Sequence, residues 1–261
     1  MFVEVCFLPR LLRNPAGRTC VVIDVLRAST TLVAAFERGL ARAVIAPGPS
    51  AARRLGRTLG PDVLLGGEVG GLAPRGFDLG NSPLEYLGID LAGRTLVFAT
   101  SNGTRALRRS VGAAEVLVGC LSNVGAVAER ILAAGRDVIL VCAGRGRGRA
   151  FGLDDAFCAG FLVDELARRA EVSPLPAPDI DLPAETPSGR LVLDDSAVAA
   201  RQVCLGFGRD PLAAFRVSAH GYRLTQLGLG ADVEFAARVD ISRKVPRLVV
   251  RDGRLEVTCE G

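Results

Sequence analysis

Six short apolar runs, five of them followed by a helical pattern and one by a glycine-rich loop, restrict the fold of this chain more than any other feature. They are "TCVVIDV" (19–25), "ARAVIA" (41–46), "DVLLGGE" (62–68), "RTLVFAT" (94–100), "AEVLVGC" (114–120) and "RDVILVCAG" (136–144). Runs that are apolar throughout, not at every second position, belong to strands covered on both faces. Helical patterns follow at 28–39, 49–59, 105–110, 124–134 and 154–169. The alternation predicts an α/β fold, a mostly parallel sheet with helices on both faces.

The rhythm divides the chain. Residues 1–170 carry most of the strand-end loops. "EVSPLPAPDIDLPAETPSGR" (171–190) holds five prolines and reads as a connector. Residues 191–261 form a C-terminal α/β segment, expected to pack with the first as one catalytic unit. In that segment "RLVVRDGRLEVT" places Asp-Gly between apolar runs, a hairpin signal.

Composition narrows the function classes. The chain has 261 residues, 49% hydrophobic, with 32 Lys+Arg against 28 Asp+Glu. Lys244 is the only lysine, so the positive charge is almost all guanidinium, which suits bidentate contact with phosphate or carboxylate. Basic residues alternate with acids and no aromatic stripe accompanies them, so nucleic acid is not an expected partner. Seven cysteines without a CxxC pair read as buried apolar residues in a reducing compartment. No run is long enough to cross a bilayer and no signal peptide is recognisable, so a cytoplasmic protein is expected. A homo-oligomer is left open.

In open parallel sheets ligands bind at the carboxyl ends of strands, and the chemically versatile residues collect there. Asp24 closes the first run and is followed by Arg27, Ser29 and Thr30. Glu68 closes the third run, ahead of a glycine-rich loop holding Asn81 and Ser82. "TSNGT" supplies Ser101, Asn102, Gly103 and Thr104, hydroxyls and backbone N–H groups suited to an oxyanion. Arg145 lies in "CAGRGRG", and "GLDDAFCAG" offers Asp154 and Asp155, one as a helix cap and the other, taken as Asp155, for metal or proton transfer. The single histidine, His220, reads as structural. Without a histidine base, metal-assisted chemistry is the natural route, and Asp24 and Glu68 are the candidate Mg²⁺ ligands.

"VVIDVLRASTT", "GGEVGG", "GFDLGNSP", "TSNGT", "VCAG" and "HGYRLTQLG", in this order, resemble the 2-phosphosulfolactate phosphatase family over residues 3–247. Ser101 stands where the family is expected to have Thr, and Asp154 where it often has Glu. The resemblance implies a fold of the family's own type and a Mg²⁺-dependent hydrolase of coenzyme M biosynthesis. Its substrate would be a small phosphorylated anion, 2-phosphosulfolactate. Asp24 would hold Mg²⁺ or attack phosphorus. Leu26 stands where aspartyl-nucleophile phosphohydrolases carry a second Asp, which favours an activated water. Arg27 would grip phosphate or sulfonate with both nitrogens, with Ser29 and Thr30 on the remaining oxygens. The competing class is a non-catalytic sensor of a phosphorylated metabolite.

Overall fold

The structure, a computed structural model, describes residues 1–172 and 190–260. In chain order the first half of the elements is β1 (Phe2–Cys6), β2 (Thr19–Ile23), α1 (Ala28–Glu37), β3 (Arg42–Ile45), α2 (Pro49–Leu59), β4 (Val63–Gly67), α3 (Pro83–Leu87), β5 (Thr95–Ala99) and α4 (Gly103–Arg109). Then come β6 (Glu115–Gly119), α5 (Val124–Ala134), β7 (Val138–Cys142), α6 (Leu153–Arg169), β8 (Val192–Leu193) and α7 (Asp195–Gly206). Helices α8 (Pro211–Val217), α9 (Ala219–Gln226) and α10 (Gly230–Ala236) precede the hairpin β9 (Arg247–Arg251) and β10 (Arg254–Thr258).

All ten strands join one sheet in the order β4-β5-β3-β10-β9-β6-β2-β7-β1-β8. Two parallel sets, β4-β5-β3 and β6-β2-β7-β1-β8, flank the hairpin, whose outer pairings are both antiparallel. Three successive antiparallel pairings, β3–β10, β10–β9 and β9–β6, make the two parallel sets run in opposite directions. The hairpin turn is the expected Asp252–Gly253, both with positive φ. Its place in the middle of the sheet is new.

The core explains how opposed strands can still serve one site. Val22, Val118, Ile139 and Val141 of the five-strand set share a cluster with Ala43, Ile45, Leu96 and Phe98 of the three-strand set. Between them lie Ala28, Leu32, Ala35 and Phe36 of α1 and Ala106 and Leu107 of α4. The sheet therefore curls around α1, which is buried on every side from Ala28 to Phe36. Its small residues, Ala28, Ser29, Ala34 and Ala35, allow two layers of strands to close on it. Residues pointing the other way, Val21, Ile23, Leu117 and Leu140, pack on α5 and α6, and Val44 and Val97 pack on Ala52 of α2. Both faces of both sets are covered, which is why the strands are apolar throughout.

Strands β1 and β8 have no counterpart in the sequence reading: β1 carries Glu4 in the middle of its apolar residues, and β8 is only two residues long. Residues 173–189 of the proline-rich connector lie outside the described residues. Its two ends meet, Leu191 N donating to Glu171 O at 2.8 Å. Among the described residues no helix is long and apolar enough to cross a membrane.

Candidate active site

Curling brings the C-terminal ends of β2, β4, β5 and β7 to one cleft. An outer chamber of about 340 Å³ is lined by Glu68, Ser101, Asn102, Arg145, Arg147, His220 and Arg223, among others. Beneath it an inner chamber of about 30 Å³ is lined by Asp24, Leu26, Arg27, Glu68, Gly71, Asn81, Asn102 and His220. Glu68, Gly71, Asn102 and His220 border both.

Asp24 leaves β2 fixed by the first turn of α1. Its N–H donates to Ser29 Oγ at 2.9 Å and its carbonyl accepts from Ser29 N at 2.9 Å. The side chain is buried, and burial drives its pKa up to about 6. His220 opposes that shift, and the charges of Glu68 and Asp154 add to it. Gly103, which opens α4, lies against this carboxylate: a Cβ there would stand 2.8 Å from Asp24 Oδ2 and 2.9 Å from the Ala28 methyl. Only glycine lets the β5 loop approach so closely.

Glu68 joins two loops of the three-strand set. Its Oε2 accepts from Gly71 N at 2.8 Å and its Oε1 from Ser101 N at 2.7 Å. The residue before it, Gly67, has φ 135°, and a Cβ would fall 1.9 Å from the Ala99 carbonyl. The Gly-Gly pair thus lets β4 turn sharply against β5 and aim Glu68 inward.

Other expected ligand-binding groups are already engaged. Arg27 is 2% exposed; its Nη1 donates to Asp232 Oδ2 at 2.6 Å and its Nη2 to the Gly71 carbonyl at 2.5 Å. Ser82 Oγ donates to the other Asp232 oxygen at 2.6 Å. Arg27 borders the inner chamber, but its fork clamps α10 and the Gly70–Gly71 turn instead of standing free for phosphate. Ser29 Oγ donates to Val22 O, Thr30 Oγ1 to Val25 O and Thr104 Oγ1 to Thr100 O, so these hydroxyls serve the backbone. Asn102 Oδ1 accepts from the backbone N–H of Arg147 at 2.8 Å, and Arg145 Nε donates to Phe151 O; both arginines line the outer chamber. Asn81 Oδ1 is buried without a partner among the described residues.

The two neighbouring aspartates have different partners, and neither has the role expected of a cap: the cap position of α6 is Gly152. Asp155 accepts from Val25 N at 3.0 Å and Gly144 N at 2.8 Å, tying the ends of β2 and β7 together. Burial first, then the charges of Asp154 and Asp24, push its pKa well up. Asp154 stands behind His220: its Oδ2 lies 3.5 Å from His220 Nδ1, and its Oδ1 is buried without a partner among the described residues. Burial by itself would lower the His220 pKa; the Asp154 carboxylate, helped by Asp24, outweighs it, and the net shift is upward.

His220, Asp154, Arg147 and Arg223 are thus the site groups that the sequence reading passes over or assigns elsewhere. A signal existed for His220: it is the chain's only histidine and sits in the "HGYRLTQLG" motif. Cys142 is fully buried with its thiol pKa driven well up by burial, then by Asp155, so it offers no thiolate nucleophile.

The family profile described as 2-phosphosulpholactate phosphatase matches residues 6–250. A protein of Deinococcus radiodurans is 42% identical over 234 residues, covering 89% of this chain and 88% of its own. One of Thermus thermophilus is 39% identical over 236 residues, 89% of each. One of Carboxydothermus hydrogenoformans is 33% identical over 257 residues, 98% of this chain and 97% of its own. All three carry the name "Probable 2-phosphosulfolactate phosphatase". At that identity and coverage, the chain belongs to the 2-phosphosulpholactate phosphatase family and is, by that membership, a phosphoric monoester hydrolase.

Proposed function

We propose that this chain hydrolyses 2-phosphosulfolactate to sulfolactate and phosphate, with Mg²⁺ as its cofactor. The observation that carries the reading is the charge arrangement of the joined chambers. Two carboxylates, Asp24 and Glu68, border the inner chamber, a third, Asp154, is buried behind His220, and three arginines, Arg145, Arg147 and Arg223, stand around the outer chamber. A site that only binds a polyanion gains nothing by burying carboxylates beneath it. A phosphatase that places a cation between carboxylates and phosphate does.

The residues fit such a cation. Asp24 and Glu68 are hard oxygen donors bordering the inner chamber, and the buried amide oxygen of Asn81 has no partner among the described residues. Among the described residues no group of three or more His, Cys, Asp or Glu forms a ready-made metal cage. That is the pattern of Mg²⁺, which takes one or two carboxylates and completes its shell with water and phosphate oxygens. Bound there, it would neutralise phosphoryl oxygens and lower the pKa of a water.

The chain's own groups do the rest. Glu68, held by two backbone N–H groups, keeps a fixed position. Arg27 stiffens the wall through Asp232 and Gly71 and adds a positive charge at the inner chamber. Arg145, Arg147 and Arg223 are suited to the carboxylate and sulfonate of the substrate, which a simple alkyl phosphate lacks. Phosphate release from 2-phosphosulfolactate, 2-phospholactate and glycerol 2-phosphate, each with Mg²⁺ and with chelator, tests the reading. Activity should need the divalent ion and fall in that order. Tight binding of 2-phosphosulfolactate without phosphate release would replace the enzyme with a sensor.

A further inference from the structure

We propose that His220 is the general acid that protonates the leaving alcohol, with Asp154 as the residue that positions it; the proposal rests on the phosphatase reading above. An aliphatic alkoxide is a far worse leaving group than a phenolate, whose conjugate acid has a pKa of about 10. Cleavage of an alkyl phosphoester at neutral pH therefore calls for a proton at the bridging oxygen. Arginine guanidiniums do not release one.

The geometry singles out one donor. His220 borders both chambers, so it stands where a substrate with phosphate below and acid groups above must carry its ester oxygen. Its place is fixed from behind: Ser218, buried, ends α8 and caps α9, its Oγ accepting from Gly221 N at 2.9 Å. Nδ1 faces Asp154 Oδ2 at 3.5 Å, which leaves Nε2 without a protein partner among the described residues. Asp154 has no other hydrogen-bond partner for either carboxylate oxygen among them. A buried carboxylate with a single cationic neighbour is costly unless that neighbour is charged, so Asp154 holds the imidazole in its protonated form and orients it. The other ionisable groups facing the ring are Asp24 and Glu68 at the floor, Arg27 beside them, Arg145 and Arg147 from the β7 loop, and Arg223 on α9 itself.

In the step, a water oxygen forms the new bond to phosphorus while the bond from phosphorus to the bridging oxygen breaks. The released electron pair stays on that oxygen, which takes the proton from His220. The proton given up by the attacking water passes through solvent back to the imidazole, so the enzyme is restored with no net proton consumed by it.

Leaving-group dependence tests this, because a histidine that merely shapes the cleft would affect all esters alike. His220→Gln and His220→Ala should lower kcat/KM for 2-phosphosulfolactate by about 100- to 10,000-fold. For p-nitrophenyl phosphate, whose leaving group needs no proton, the loss should stay below about tenfold. Asp154→Asn should show the same bias at smaller size. Equal losses on both esters would overturn the assignment. Wild-type enzyme gives a check that needs no variant: its kcat/KM across alkyl and aryl phosphates should depend only weakly on leaving-group pKa, and a steep dependence would also overturn it. A wild-type chain that released phosphate from no ester would instead bring down the phosphatase reading itself.

Discussion

The two parallel strand sets make different contributions to one cleft. The five-strand set, packed between α1 on one face and α5 and α6 on the other, supplies Asp24, the arginine loop after β7 and, through α6, both Asp154 and Asp155. The three-strand set is smaller, backed by α2, and supplies Glu68, Ser101 and Asn102. Neither set holds a complete site. The catalytic floor is a junction, and the residues that matter most for its shape span it: Gly103 against Asp24, Arg27 to Gly71 and Asp232, Arg147 to Asn102. Where the site lies between two layers, groups that hold the layers together become as important as groups that touch substrate.

The largest effect should come from removing one carboxylate from each set. Asp24→Ala and Glu68→Ala should each lower kcat by about 100- to 1000-fold or more while the far-ultraviolet circular dichroism stays native. If only Asp24→Ala does so, the three-strand set contributes scaffold alone and the junction account fails. Next comes the clamp. Asp232→Ala strands a buried guanidinium, and Arg27→Ala strands a buried carboxylate, so each should lose about 3–5 kcal/mol in urea unfolding. Activity of folded Arg27→Ala would separate clamp from ligand: a loss traceable to instability leaves Arg27 structural, whereas a defect in a fully folded sample returns it to substrate contact.

Gly103→Ala sharpens the comparison at one atom. The added methyl must push Asp24 and Ala28 away, and overpacking of this kind costs about 1–3 kcal/mol. Activity should fall more than stability, because the displaced group is the Asp24 carboxylate. A variant with wild-type kcat would mean the two sets can part slightly without harm. The smallest effect is a titration. With one histidine in the chain, its ring proton signals are unambiguous by NMR. Asp154→Asn should lower the His220 pKa, because the carboxylate is what raises it against burial. The sign follows for stability too: the pair's contribution is full below the unfolded value near 6.5 and is lost as pH rises through the higher folded value. An unchanged titration would remove Asp154 from the ring's surroundings.

Much of this was legible from residues, and the gaps have physical causes. The apolar runs declared their strands because both faces are covered, and Asp252–Gly253 declared its hairpin. The order of strands was not legible: nothing local in "RLVVRDGRLEVT" says that it enters between β3 and β6, since that choice depends on pairings with residues 130 to 214 positions away. The strand-end positions of Asp24 and Glu68 led to the cleft, yet Asp154 and Asp155 could not be told apart. Adjacent helix residues point about 100° apart, and only packing decides which meets His220. Arg27 reads as a phosphate grip because its partner Asp232 lies 205 residues further along. His220 reads as structural because a solitary histidine carries no spacing from which to infer a role.

The hairpin at the middle of the sheet also sets an order of assembly. Residues 247–258 leave the ribosome after every strand they join. Until then β3 and β6 each present an open edge, a row of unpaired N–H and C=O groups of the kind that recruits foreign strands. A chain that folds while it is made would carry two unfinished sheets and half a cleft on each until this hairpin, made after the other eight described strands, closes the gap and shields both edges. A substitution that delays hairpin formation, such as Gly253→Val at a positive φ, should therefore show itself first as aggregation during synthesis and only afterwards as lost activity.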